Sequence, residues 1–291
     1  MLTLLPCQDS DEMAASRQRE LDIPRNVAAA LGQSAVLAGE RGYYVDRTGR
    51  RVDWSEAVHA ACAAKVSISP HAPLPSPASP VFAETRVQVT NETTLAASRR
   101  LADVGHAPVA LNFANGLYPG GGFLSGARAQ EEVLCRSSAL FHTIVDDEMY
   151  VSHRNRSRPD STDWTIYSPD VPVFRMDDGT EIEQPWRLSF ATCAAPYAPS
   201  IGQPESGDLL RGRIRRVLSI ARAYGHGTVV LGAWGCGAFH NDVHRTAVDF
   251  RHVLESEFHG SFGDVVFAIT DWSPERKYLG PFRDVFAPTV E

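Results

Sequence analysis

The sequence predicts an α/β sandwich, with helices covering a central sheet. Three observations carry this. From residue 86 onward, apolar runs of strand length alternate with amphipathic helical stretches. Two glycine-rich loops follow two of those runs and lead toward helices. Hydrophobic residues are 43% and charged residues 22% of 291, enough apolar material for a sizeable core.

Residues 1–85 read as an accessory extension and linker, and residues 86–291 as a core with a C-terminal extension, the two forming one compact unit. The apolar patch at Leu2–Pro6 has no basic region before it and is followed by acidic residues, which argues against a signal peptide. Gln18 to Ala38 has helical composition, with Pro24 at a helix start. Tyr43–Asp46 and Arg51–Trp54 flank a turn and predict a hairpin. Ser55 to Lys65 reads as a short helix with Ser55 as N-cap. Residues 69–80 are rich in proline and serine and read as a linker.

In the core, strands are predicted at Val87–Thr90, Val109–Phe113, Thr165–Phe174, Arg187–Thr192, Thr228–Gly232 and Asp264–Thr270. Helices are predicted at Thr94–Val104, Glu131–Val145, Asp208–Tyr224 and Asp242–Phe258. Ser152 to Asp163 reads as a polar, arginine-rich loop. No internal repeat is present.

Composition excludes several classes. The net charge of −7 is wrong for a protein that grips nucleic acid through its overall field. A phosphate-bearing ligand must then be held locally, by backbone N–H groups and helix N-termini. The five cysteines are odd in number and none are spaced as CxxC, which points to a reducing cytoplasm rather than a disulfide framework or a zinc site. No apolar run is long enough to span a membrane.

The first loop runs Asn112 to Gly122 and the second Leu231 to Asn241. Glycine lets a backbone aim its N–H groups at an anion and lets the anion come close. Two such loops at strand ends of one sheet suggest a clamp on a diphosphate. Neither ends in the Lys-Ser/Thr of a P-loop and neither is GxGxxG, so ATP hydrolysis and dinucleotide redox chemistry are poorly supported. Glu131 and Glu132 stand just after the first loop. Alone, they read as acidic residues favoured at a helix N-terminus.

The whole string says more. Gly120-Gly121-Gly122, then seven residues, then Gln130-Glu131-Glu132 resembles the signature of poly(ADP-ribose) glycohydrolases. The Asn112–Asn115 strand end and the loop Gly235-Cys236-Gly237-Ala238-Phe239 resemble the bacterial-type branch of that family. The resemblance covers roughly residues 86–270 and, more loosely, the N-terminal helices. His240 departs from it, standing where a glycine often follows the loop phenylalanine. The fold implied is a macrodomain-like three-layer α/β/α sandwich with a mixed central sheet and an N-terminal helical extension.

The activity implied is hydrolysis of ribose–ribose O-glycosidic bonds, mainly from chain ends, releasing ADP-ribose. The second Glu of the motif, Glu132, is the implied acid, and Glu131 the acceptor of ribose hydroxyls. Consecutive residues diverge on any regular element, so the pair does not face across the scissile bond as two-carboxylate glycosidases require. One residue with two duties follows: Glu132 as acid, then as base for water. The candidate substrate contacts are Asn115, Gly120, Gly121, Gly122, Gln130, Gly235, Cys236, Gly237, Ala238 and Phe239. Asn115 binds the distal ribose or serves as a left-handed turn residue. Phe239 stacks on adenine or packs in the core. Cys236, with no Asp–His pair in view, reads as a small packing residue rather than a nucleophile.

The implied partners are poly(ADP-ribose), ADP-ribose and ADP-ribosylated proteins, with no direct nucleic-acid binding, no membrane and no cofactor. Two alternatives use the same pocket: a non-catalytic reader of ADP-ribose, against which the paired Glu counts, and a phosphatase acting on ADP-ribose 1″-phosphate. Product mass separates them. The ten histidines show no metal-ligand spacing. Polymer release should therefore proceed at full rate in excess EDTA; loss restored by a divalent ion would place the chemistry in another class.

Overall fold

The apolar runs become strands whose side chains alternate between two cores, one on each face of a single sheet. The computed structural model describes residues 2–76 and 82–288, so part of the Pro/Ser-rich stretch, residues 77–80, lies outside the described residues. The chain runs β1 (Leu2–Leu4), α1 (Asp11–Leu21), α2 (Arg25–Arg41), β2 (Tyr43–Val45), β3 (Arg51–Asp53), α3 (Ser55–Ala64), β4 (Val66–Ile68), β5 (Thr85–Thr90), α4 (Thr94–Asp103) and β6 (Val109–Ala114). It continues through α5 (Gln130–Ser137), α6 (Leu140–Ile144), α7 (Glu148–Arg154), β7 (Thr165–Arg175), β8 (Glu181–Ala194), α8 (Ala198–Ile201) and α9 (Glu205–Ala223). The last elements are β9 (Thr228–Leu231), α10 (Val243–Ser256), β10 (Asp264–Ala268) and α11 (Leu279–Val285).

The eight-stranded sheet has the order β1-β5-β10-β9-β6-β8-β7-β4. Pairs from β1 through β8 are parallel, whereas β7 pairs antiparallel with both β8 and β4, so the sheet is mixed. Val229 and Leu231 of β9, with Val265 and Phe267 of β10, face a core closed by α9, α10 and α11. Val230, Val266 and Ala268 face the other core, filled from α2, α3, α4, α5, α6 and α7. Buried on both faces, these strands read as continuous apolar runs. The macrodomain-like three-layer sandwich is thereby realised.

The first 85 residues supply both edge strands, β1 and β4. Three residues carry no periodicity, which is why neither strand is visible in the sequence. The run Gln18 to Ala38 spans two helices, and Pro24 caps the second. The cap of α3 is Trp54 rather than Ser55; Ser55 is the first helical residue, and its N–H and hydroxyl donate to Asp53. The single helix expected over Glu131–Val145 is two. Ser138 is extended and bridges to Val173, and Ala139 N–H donates to Pro172 O at 3.0 Å, so β7 interrupts the helix. Helix α7 occupies the start of the expected polar loop.

One buried side chain ties the two ends of the chain together. Asn91, just after β5, donates from Nδ2 to Asp9 Oδ1 (2.8 Å) and Asp271 O (2.7 Å) and accepts from Asp271 N–H (3.1 Å). Replacing a fully buried partner leaves these groups unsatisfied. Asn91→Ala should cost about 3 kcal/mol, read as a fall in the thermal midpoint of about 5–10 °C; an unchanged midpoint would show that these bonds do not hold the termini.

Candidate active site

Helix α5 begins against the carboxyl end of β6, and Gln130 holds it there. Its Oε1 accepts from Phe113 N–H at 2.9 Å, and its Nε2 donates to Leu111 O (2.7 Å) and Thr94 Oγ1 (3.1 Å). From sequence, Gln130 is grouped with the substrate contacts. In the structure its carboxamide is bonded to the protein's own strand and to α4, which positions α5, and Gln130 also lines the cavity. The next two residues, Glu131 and Glu132, are buried and line one cavity.

Their environments differ. Glu131 Oε2 accepts from Asn115 N–H at 2.7 Å, Oε1 accepts from Asn112 Nδ2 at 3.4 Å, and Gly120 N–H also donates. Burial pushes the Glu131 carboxyl up to about 8, with the charge of Glu132 adding to the rise, while the N–H donors pull it back. Glu132 Oε1 accepts from Gly122 N–H at 3.0 Å. Its Oε2 is buried and has no hydrogen-bond partner among the described residues. Gly120, Gly121 and Gly122 thus pack against the two carboxylates. Gly121 has φ +57°, and a Cβ there would land against Glu132 Oε1. No other residue fits both the conformation and the space.

The loop before these glycines is braced. Asn115 Oδ1 accepts from Leu117 N–H (2.9 Å) and Tyr118 N–H (3.0 Å). Asn115 is therefore a turn residue through its oxygen, without a left-handed backbone, and it still lines the cavity. Buried His153 links Gly116 O (3.1 Å) to Thr162 Oγ1 (2.8 Å). Burial pushes its imidazole down to about 4, so it is a neutral strut.

The second loop, after β9, turns at Gly235 (φ +75°), where a Cβ would meet Ala195 Cβ at 2.6 Å. Asn241 donates from Nδ2 to Pro196 O (2.9 Å) and Gly235 O (3.1 Å), a brace that sequence does not reveal. His240 takes φ +54°, the conformation in which glycine costs nothing. Cys236 is buried with its Sγ toward Trp234 O at 3.5 Å, and burial pushes the thiol up to about 12. A buried, protonated thiol is a poor nucleophile, and Cys236, grouped from sequence with the substrate contacts, does not line the cavity that its neighbours line. Gly235, Gly237, Ala238 and Phe239 line the cavity, with Phe239 half-buried and edge-on to Tyr197 at 5.9 Å.

The cavity has a volume of about 350 Å³ and lies at the carboxyl ends of the parallel strands. Trp272 and Tyr278 also line it, as do Thr93, Thr94 and Asp177. Sequence reasoning misses them because their approach depends on which strands are neighbours. Among the described residues, no group of three or more His, Cys, Asp or Glu is arranged to hold a metal ion, and no helix is long and apolar enough to cross a membrane.

A cavity over parallel strand ends, flanked by glycine-rich loops and floored by two carboxylates at a helix N-terminus, marks a macrodomain-like hydrolase. The comparisons agree. The family model of the microbial-type poly(ADP-ribose) glycohydrolase catalytic domain matches residues 32–176. The glycohydrolase of Thermomonospora curvata is 40% identical with a TM-score of 0.83, covering 89% of this chain and 99% of its own. Its complex with the inhibitor ADP-HPD gives 39% and 0.82 over the same shares. The Deinococcus radiodurans glycohydrolase in complex with ADP-ribose is 36% identical with a TM-score of 0.71, over 78% of this chain and 96% of its own. No curated protein matches. The chain belongs to the microbial-type poly(ADP-ribose) glycohydrolase family.

Two outcomes follow from the carboxylate pair. Glu131 has a folded pKa of about 8 against an ordinary 4.5. Between those values the unfolded chain has lost a proton that the folded chain keeps, so stability falls as pH rises through this window. Glu131→Gln should flatten the decline in urea midpoint between pH 5 and pH 8; an identical decline would mean that Glu131 is not the group responsible. Gly121→Ala should displace Glu132 and lower turnover by at least about tenfold, a barrier change of about 1.4 kcal/mol. Normal turnover would show that the loop does not set the carboxylate.

Proposed function

We propose that the protein hydrolyses the ribose–ribose O-glycosidic bonds of poly(ADP-ribose) and releases ADP-ribose, with Glu132 as acid and then base. The observation that carries this is the unlike setting of two adjacent carboxylates. Glu131 is bound by protein N–H groups on both oxygens, whereas Glu132 keeps Oε2 without a protein partner. A group that moves a proton needs an unengaged oxygen; a group that orients a sugar needs a fixed one.

In the first step the scissile C1″–O bond breaks as Glu132 protonates the leaving ribose oxygen, and an oxocarbenium-like centre develops at C1″. In the second step water adds to C1″ and Glu132 takes its proton, restoring the carboxylic acid. Glu131 orients the ribose hydroxyls through Oε1, whose protein bond is long at 3.4 Å. Asn115, with its oxygen engaged in the turn, contacts the distal ribose through its amide nitrogen. The diphosphate lies against the backbone of Gly235–Ala238, where glycine permits close approach, and Phe239 lies beside the base. All five cysteines are free, which fits a reducing cytoplasm as the site of action.

Cleavage runs mainly from chain ends. Leu21 at the end of α1 and Trp272 after β10 line the cavity, and so does Arg128, which is bonded to Asp22 just after α1. Time-resolved product analysis on long polymer should show monomeric ADP-ribose first. Medium-length oligomers appearing before monomer would overturn the exo assignment.

Glu132→Gln should retain ADP-ribose binding by calorimetry and lose turnover by at least about a hundredfold, the usual scale for a general acid. Near-normal release by this variant would remove Glu132 from the mechanism.

A further inference from the structure

The carboxylate loop carries an exposed aromatic ring just outside the cavity. Tyr118 stands between Asn115 and the three glycines and is 61% exposed. Its backbone is nonetheless fixed: the N–H donates to Asn115 Oδ1 (3.0 Å) and the carbonyl accepts from Gly121 N–H (3.0 Å). Beside it, Arg154 at the end of α7 donates to Leu117 O at 2.7 Å. The next two arginines are taken, Arg156 by Asp160 and Arg158 by Glu205. Arg154 has no ion pair among the described residues. A guanidinium that spends one N–H on a carbonyl keeps others for an anion. Neither Tyr118 nor Arg154 lines the cavity.

We propose that Tyr118 and Arg154 form a second subsite, outside the cavity, that holds the penultimate unit of the polymer, with its adenine on the Tyr118 ring and its phosphates at Arg154. This rests on the reading of the protein as a poly(ADP-ribose) glycohydrolase whose cavity takes the terminal unit. The sheet order argues the side. The terminal unit runs from the carboxylate loop after β6 to the loop after β9, one neighbour of β6. The departing chain then lies over β8, the other neighbour. The turn that bears Tyr118 is on that side: a Cβ on Gly116 would stand 3.2 Å from Ala194 Cβ at the end of β8. Chemistry sets the distance. The oxygen that Glu132 protonates is O2′ of an adenosine, and the adenine is on the neighbouring carbon of the same ribose, so a base emerges beside the scissile bond. Tyr118 is bonded to Gly121, the residue packed against Glu132 Oε1. A ring on a fixed backbone loses little freedom when a base stacks on it. In a chain of net charge −7 an anionic polymer meets no general attraction, so an unpaired cation at this rim supplies it locally.

The test is calorimetry on the full chain with two ligands, ADP-ribose and a purified ADP-ribose trimer, in the Glu132→Gln background so that the trimer survives. Tyr118→Ala should weaken the trimer about tenfold, the scale of one base–aromatic stack, and leave ADP-ribose unchanged. Tyr118→Phe should bind both like the parent. Arg154→Gln should also weaken the trimer alone, and its loss should fade in high salt while the Tyr118→Ala loss persists. With Glu132 restored, Tyr118→Ala should raise KM for polymer and spare kcat, with the thermal midpoint unchanged. Parental trimer affinity in Tyr118→Ala, or ADP-ribose weakened as much as the trimer, overturns the subsite. Trimer binding that depends on Tyr118 in a protein that leaves polymer uncut would keep the subsite and sink the hydrolase reading instead.

Discussion

The docking of α5 onto β6 through the Gln130 carboxamide is the contact on which the site depends. Its three hydrogen bonds reach a strand carbonyl, a strand N–H and the hydroxyl of Thr94 in α4. They fix the first turn of a short helix whose next two residues are acidic. From there Glu131 meets the N–H of Asn115 and Glu132 meets the N–H of Gly122. Without Gln130, the first turn of α5 would lose three bonds to β6 and α4, and catalytic groups lose much of their effect when displaced by about 1 Å.

Burying two carboxylates side by side is costly, and the surrounding backbone offsets the cost unequally. Donors and the helix N-terminus favour negative charge, while burial opposes it. For Glu131 burial wins, as its raised pKa records. Gly121 makes the close approach possible, because any Cβ would collide with Glu132. The same logic recurs in the second loop at Gly235 and at its brace, Asn241.

Much of this is legible in the residues. Strand and helix alternation gives the layered fold, and the spacing from Gly120 to Glu132 gives the carboxylates and their loop. What escapes the sequence escapes for physical reasons. Strands β1 and β4 are three residues long and exist because neighbours pair with them. The break at Ser138 arises from a bridge to Val173, far along the chain. The bonds that tie Gln130 to β6 depend on Leu111 and Phe113 standing beside it, which spacing along the chain does not show. Trp272 becomes part of the site only because β10 lies next to β9.

The central claim is the division of labour between Glu131 and Glu132, and a crystal structure with bound ADP-ribose tests it most directly. The account predicts that Glu132 Oε2 lies within hydrogen-bond distance of the oxygen on C1″, with Glu131 still bound to the N–H of Asn115. A complex in which Glu131 contacts that oxygen while Glu132 points away from C1″ would contradict it.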